Sequence, residues 1–215
     1  MTDPAIPSDE LVATVLTALR LGGFAATDMV VDRVGLDAGA VSSALGFIES
    51  KGWAVHRAGR VTGWSLTGGG RAEGERRLAT ELDASGGRDA VTDAYGEFLP
   101  LNRRFLDLCT DWQLRSDAVD QALNDHTDAD YDRAVIDRLG ELHQGIGPIL
   151  ERIASCLGRF AAYDRRLGSA LERVRAGDTE WFTKPVIDSY HTVWFELHED
   201  LLATLRIERS SESAR

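Results

Sequence analysis

A chain of 215 residues can hold one large domain or two small ones, and its 43% hydrophobic and 27% charged content is ordinary for a soluble protein. No apolar run approaches the roughly 18–20 residues that span a bilayer, so no membrane association is expected. A net charge of −11 opposes a general affinity for nucleic acid.

Met1-Thr2-Asp3-Pro4 is acidic and lacks the basic-then-apolar order of a secretory signal, so the expected location is cytoplasmic. Cys109 and Cys156 sit inside amphipathic helical patterns and read as small hydrophobes rather than as a disulfide framework or zinc site. Arginine outnumbers lysine 22 to 2, a bias that fits a GC-rich genome. Charge is unevenly spread. Residues 51–77 hold Lys51, Arg57, Arg60, Arg71, Arg76 and Arg77 against Glu73 and Glu75, a local excess of +4 in an acidic chain.

In chain order, Ser8 followed by Asp9 and Glu10 predicts a capped helix whose apolar face is Leu11, Val12, Val15, Leu16 and Leu19, ended by Gly22-Gly23. A shorter helix is expected from Thr27, a cap candidate, to Val34. Asp37 can cap a third helix, in which Val41, Ala44, Leu45 and Ile48 face inward and Gly52 supplies the stop. Trp53–Arg57 and Gly63–Thr67 alternate like strands, joined by Ala58–Thr62. Gly68-Gly69-Gly70 is expected to close this hairpin, with a polar helix starting near Arg71.

Three helices, a hairpin and a further helix form the winged helix-turn-helix order. Phe47-Ile48-Glu49-Ser50-Lys51-Gly52-Trp53, then Trp64-Ser65-Leu66-Thr67 and Gly70-Arg71, resemble the MarR-type pattern over roughly residues 10–84. The resemblance implies a third helix in the DNA major groove and a hairpin tip near the minor groove or backbone.

The third helix is a poor reader of bases. Its outward positions are Gly39, Ser43, Gly46 and Ser50, flanked by Ser42 and Phe47, and base edges are usually read by Arg, Lys, Asn or Gln. Three readings compete. The domain holds phosphates through Lys51, Arg57, Arg60, Arg71, Arg76 and Arg77, with sequence choice left to Ser42, Ser43 and DNA shape. Alternatively, the small face packs against another protein helix and DNA binding has been lost. In the third reading the glycines carry no meaning. For the arginines, the bland reading is pairing with Glu73, Glu75 and Glu81.

Ser85–Arg88 is the expected boundary. Beyond it the pattern is helical: Tyr95 to Trp112, with Pro100 expected to bend or restart the helix; an Asp-rich loop or turn over 116–130; then Val135, Leu139, Leu142, Ile146, Ile149, Ile153 and Leu157, with a kink at Gly145-Gly147-Pro148. Phe160 to Val174 marks another helix ended by Gly177, and a last one is expected from Pro185 to Leu205. Residues 208–215 read as a disordered tail.

His191 and His198 share a helix face but lie about 10 Å apart along the axis, so one ion cannot easily use both. Asp188 and His191 make the one tight pair, and His143 is a possible third ligand. These histidines are read instead as lining a core or dimer seam beside Trp194, and no metal is expected. No phosphate loop, G-x-S-x-G serine or isolated apolar carboxylate is present, so no catalytic residues, cofactor or enzymatic activity are expected.

The second half also resembles, through Phe98–Asn102, Thr110–Arg115 and Val135–Leu139, a helical segment of proteins related to pyruvate phosphate dikinase. The catalytic parts of those enzymes are absent, which implies at most an accessory module or partner of such a phosphotransferase. The expected architecture is mainly α: a winged helix-turn-helix domain with a small hairpin at 8–84, then an acidic antiparallel helical bundle at 89–207. The expected function is a homodimeric DNA-binding transcriptional regulator. Trp112, Tyr190 and Trp194 are the candidate lining of a small-molecule effector pocket. The alternative is a non-catalytic protein-interaction module.

Overall fold

The computed structural model describes residues 6–117, 120–185 and 187–207. The expected tail at 208–215 lies outside the described residues. The fold is mainly helical, and the chain divides into two compact units, residues 1–84 with 202–215, and residues 85–201.

The first unit opens with α1 (Asp9–Gly22), capped by Ser8, whose Oγ accepts from the Leu11 amide at 3.2 Å. α2 (Thr27–Val34) follows, then α3 (Ala38–Ser50), whose Asp37 carboxylate accepts from the Ala40 amide at 2.9 Å. Thr27 is not the cap of α2. That position belongs to Ala26, and the Thr27 hydroxyl accepts the Trp64 indole N–H at 3.0 Å, a tertiary bond that wins over local capping. Val12, Val15, Leu16 and Leu19 of α1 meet Val30 of α2 and Val41, Ala44, Leu45 and Ile48 of α3 in one apolar core.

β1 (Ala54–Arg57) and β2 (Gly63–Leu66) pair antiparallel, with Ala54 opposite Leu66 and Arg57 opposite Gly63. On its other edge β2 exchanges backbone bonds with Ala25, at 3.1 and 2.8 Å, which ties the hairpin to the link between α1 and α2. α4 runs Gly68–Ser85 and therefore begins three residues before Arg71. The three glycines are its first turn, because Thr67 caps it: the Gly70 amide donates to Thr67 Oγ1 at 3.0 Å and the Arg71 amide to the Thr67 carbonyl at 3.0 Å.

In the second unit α5 runs unbroken from Arg88 to Gln113 and α6 from Ala129 to Cys156, so neither Pro100 nor Pro148 ends a helix. Both prolines are exposed, as are Gly96 and Gln144 four residues before them. The carbonyls freed by the missing N–H groups can be met by water, and Gly96 has no side chain to crowd the first ring. Between these helices the expected loop is in part a second hairpin, β3 (Leu114–Asp117) and β4 (Asp120–Leu123), with Leu114 opposite Leu123.

After a 3-10 turn at Gly158–Phe160 come α7 (Ala161–Arg175), a short α8 (Glu180–Thr183) and α9 (Tyr190–Leu205). α9 starts five residues after Pro185, where Ser189 Oγ accepts from the Thr192 amide at 3.2 Å. Cross-links fix the directions. Asp111 and Glu97 of α5 pair with Arg138 and Arg152 of α6 in reversed order, so these helices run antiparallel. Phe105 meets Tyr190 while Phe98 meets His198, so α9 also runs against α5. No helix among the described residues is long and apolar enough to cross a membrane.

Candidate nucleic-acid interface

The stop of α3 positions the first cation. Gly52 takes φ of +70°, and the Gly52 and Trp53 amides bond back to Glu49 and Ile48 carbonyls at 2.8 and 3.0 Å, a Schellman closure that a side chain there would strain. Lys51, the residue before it, lies over the Phe47 ring at 5.3 Å and is exposed. Thr67 Oγ1 reaches the Gly52 carbonyl at 2.8 Å, and a Cβ at Gly70 would fall on the Trp53 carbonyl. The end of α3, the root of the hairpin and the start of α4 are therefore one hydrogen-bonded knot. Lys51 and Arg71 flank it.

The hairpin carries the next two cations. Val55 and Arg57 share one face with Ser65, opposite the face on which His56 lies over Trp64 at 4.5 Å between ring centroids. Arg57 and the whole tip from Ala58 to Thr62, including Arg60, are exposed. Glu49 Oε1 accepts the outward His56 amide at 3.3 Å and so occupies the free edge of β1.

The basic residues of this unit fall into two groups. Arg76 and Arg77 both bind Glu73, at 2.8 and 2.7 Å, and Arg20 binds Glu75 at 2.6 Å. The Glu73 carboxyl is drawn down to about 2 by the Arg76 hydrogen bonds, opposed by burial and reinforced by Arg77. Arg76 and Arg77, expected to hold phosphate, are thus engaged in the unit's own ion pairs. Lys51, Arg57, Arg60 and Arg71 make no ion pair among the described residues.

On α3 the outward residues Gly39, Ser42, Ser43, Gly46 and Ser50 are all exposed. Ser50 donates its hydroxyl to the Phe47 carbonyl at 2.7 Å, which leaves Ser42 and Ser43 as the side-chain donors of the exposed face. Within that helix and its N-cap the charges are the acids Asp37 and Glu49, and Lys51 is its C-cap.

In the second unit the three aromatic residues expected to line a pocket occupy two clusters. Tyr190 and Trp194 are buried with Phe98 and Phe105. Trp194 lies 4.8 Å from Phe105 and 5.2 Å from Phe98, and its indole N–H donates to Asn102 at 2.9 Å. Trp112 instead stacks on Phe182 at 4.7 Å and on His126 at 4.5 Å. Each of the three rings is buried and packed against other aromatic rings.

His143 and His191 are half-buried beside this cluster, His143 within 3.4 Å of the Tyr190 hydroxyl and His191 near Phe105. Burial lowers the pKa of both. His198 packs on Phe98. Among the described residues no three His, Cys, Asp or Glu side chains gather to hold a metal ion.

Sequence reading missed a buried ionic network. Arg166 binds Asp188 through two bonds of 2.9 Å and Glu196 at 2.8 Å; Arg159 binds Asp200 at 3.1 Å, and Tyr163 donates to Asp200 at 3.1 Å. Glu196 and Asp200 are each 2% exposed. Burial, then the Asp200 and Glu196 charges, push the Tyr163 hydroxyl well above its ordinary value. Arg166 is held charged, because its bonds to Asp188 and the Glu196 charge outweigh burial. The signal was in the spacing: Glu196 and Asp200 are one turn apart on α9, as are Arg159, Tyr163 and Arg166 at steps of four and three.

Compared with family models, curated proteins and solved structures, the chain matches none.

Proposed function

We propose that the first unit is a winged helix-turn-helix head and that the protein is a DNA-binding transcriptional regulator. One observation carries the reading. In an acidic chain, four cations on the α3 end, the hairpin and the start of α4 stay exposed and make no ion pair among the described residues, while their neighbours Arg20, Arg76 and Arg77 are bound to carboxylates. Cations kept off available acids are what a polyanion surface requires. The order of three helices, hairpin and fourth helix supports the same reading.

In this proposal the helical second unit provides the homodimer contact and effector response, and ligand binding shifts the separation of two heads and so DNA affinity. A salt titration of binding to genomic DNA fragments tests it, since phosphate-led affinity falls steeply with salt. Absence of binding at low salt overturns it. A protein-interaction module is the second reading, favoured by the exposed Gly39, Ser43 and Gly46 side of α3. It predicts a stoichiometric protein partner that co-purifies from native cells and no retention on DNA.

A further inference from the structure

We infer that the head grips double-stranded DNA from the hairpin side, through phosphates alone, and discriminates poorly between base sequences. The inference rests on the DNA-binding reading above and specifies its partner and contact.

The placement of charge excludes α3 as the main contact. Its exposed face offers two short hydroxyls, Ser42 and Ser43, where base-edge reading needs long paired donors and acceptors. Asp37 caps the start of α3 and no cation lies between it and Ser50; the one cation of the helix is its C-cap, Lys51, at the hairpin end beside Glu49. The cations begin at that end: Lys51 and Arg71 flank the knot of Gly52, Trp53, Thr67 and Gly70, and Arg57 and Arg60 stand out along the hairpin. Three residues of strand separate Ala54 from Arg57, about 10 Å at 3.3 Å each. The cations therefore stand at two levels, Lys51 and Arg71 beside the root of the hairpin and Arg57 and Arg60 toward its tip.

Ring placement selects duplex over single strand. Single-stranded nucleic acid is held by stacking bases on open aromatic faces. Here Trp53 is flanked by Phe47 and Arg77, Trp64 is buried beneath His56, and Phe24 lies against Gly63. Cations beside rings that are mostly packed, with Phe24 the more open at 37% exposure, fit a double-stranded backbone better than a platform for stacked bases.

The test measures binding of the full chain to fluorescent duplexes of several unrelated sequences, to single strands and to double-stranded RNA. Expected are duplex DNA affinities within about threefold of one another and a log–log salt slope of roughly −3 to −4, from four phosphate contacts at about 0.9 each. Arg57→Ala and Arg60→Ala each weaken binding about fivefold at 0.15 M salt, equally on every duplex, and lower the slope by about one. Ser42→Ala and Ser43→Ala leave affinity unchanged. All four positions are exposed, and an unchanged melting temperature confirms the fold of each variant. A duplex preferred tenfold or more, loss of affinity in a serine variant, or tighter binding of single strands or RNA overturns the inference while leaving the head a nucleic-acid binder. No binding to any probe at low salt overturns the proposed function as well.

Discussion

Arg166 and Glu196 meet at 2.8 Å with side chains only 10% and 2% exposed, so an ion pair sits inside the helical unit rather than on its surface. Asp188 supplies two further bonds to the same guanidinium. Removing Glu196 leaves the guanidinium its Asp188 bonds but takes away its most deeply buried partner.

Glu196→Ala is therefore expected to cost about 3–5 kcal/mol, the scale for breaking a buried pair from one side. The double variant Arg166→Met with Glu196→Leu is expected to recover part of that loss, since no charge is then stranded at this point. Urea unfolding of the three proteins measures it. A single-variant loss below about 1 kcal/mol would show that the pair is open to solvent.

Gly70→Ala should damage the first unit more than any surface substitution. Its Cβ would land on the Trp53 carbonyl, which is backbone and cannot rotate away. A loss of about 3 kcal/mol or more is expected, at the upper end for overpacking. Thermal melting reads it, and DNA affinity should fall with it, because the knot that positions Lys51 and Arg71 is forced apart. By contrast Gly69→Ala, with only Thr67 Oγ1 near at 3.6 Å, should melt like the parent.

Acidification should loosen the second unit near neutrality. His143 and His191 are held in their neutral forms by burial, so both have folded pKa values below those of the unfolded chain. The unfolded state then binds more protons, and stability rises with pH through this window. It is full above an unfolded value of about 6.5 and falls as pH drops through the folded values. Urea midpoints between pH 5 and 8 check the slope, and the double variant His143→Gln, His191→Phe should flatten it. Lower still, Glu73 must be protonated against its arginines, with its contribution lost between about 4.5 and about 2.

The two thiols should separate kinetically. Cys109 is buried, and its thiol is pushed up to about 12 by burial, so little thiolate is available for attack. Cys156, partly exposed at the end of α6, should react first with a thiol reagent in the native protein. One thiol titrated under native conditions and two in denaturant is the expected result. Two reacting natively at similar rates would contradict the burial of Cys109.

What was legible in the sequence was mostly local chemistry. Asp37 capping α3, Gly52 stopping it and the inward side of Val41, Ala44, Leu45 and Ile48 follow from bonds within a turn or from helical spacing, and the structure places them accordingly. The β1–β2 hairpin follows from alternation. Less visible were features decided at a distance. Leu114–Asp117 and Asp120–Leu123 are poor in β-branched residues, and they pair because their ends are held, as where the Asn124 amide bonds the Gln113 carbonyl at 2.9 Å. Charged residues on a helix read as solvated by default, and the one-turn spacing of Glu196 and Asp200 is a weak sign against that default. Among the head's arginines, Arg76 and Arg77 pair with Glu73 within one turn of their own helix, as the spacing allows, whereas the Arg20 bond to Glu75 depends on how α1 and α4 pack.

Glu49 has an effect beyond its charge. A lone hairpin presents a rail of unmet amides on which another chain can build, the starting point of fibrous growth. With its carboxylate resting on the His56 amide, that rail is blunted where it would otherwise be read. Self-association by templated extension of this ribbon along β1 is thereby disfavoured.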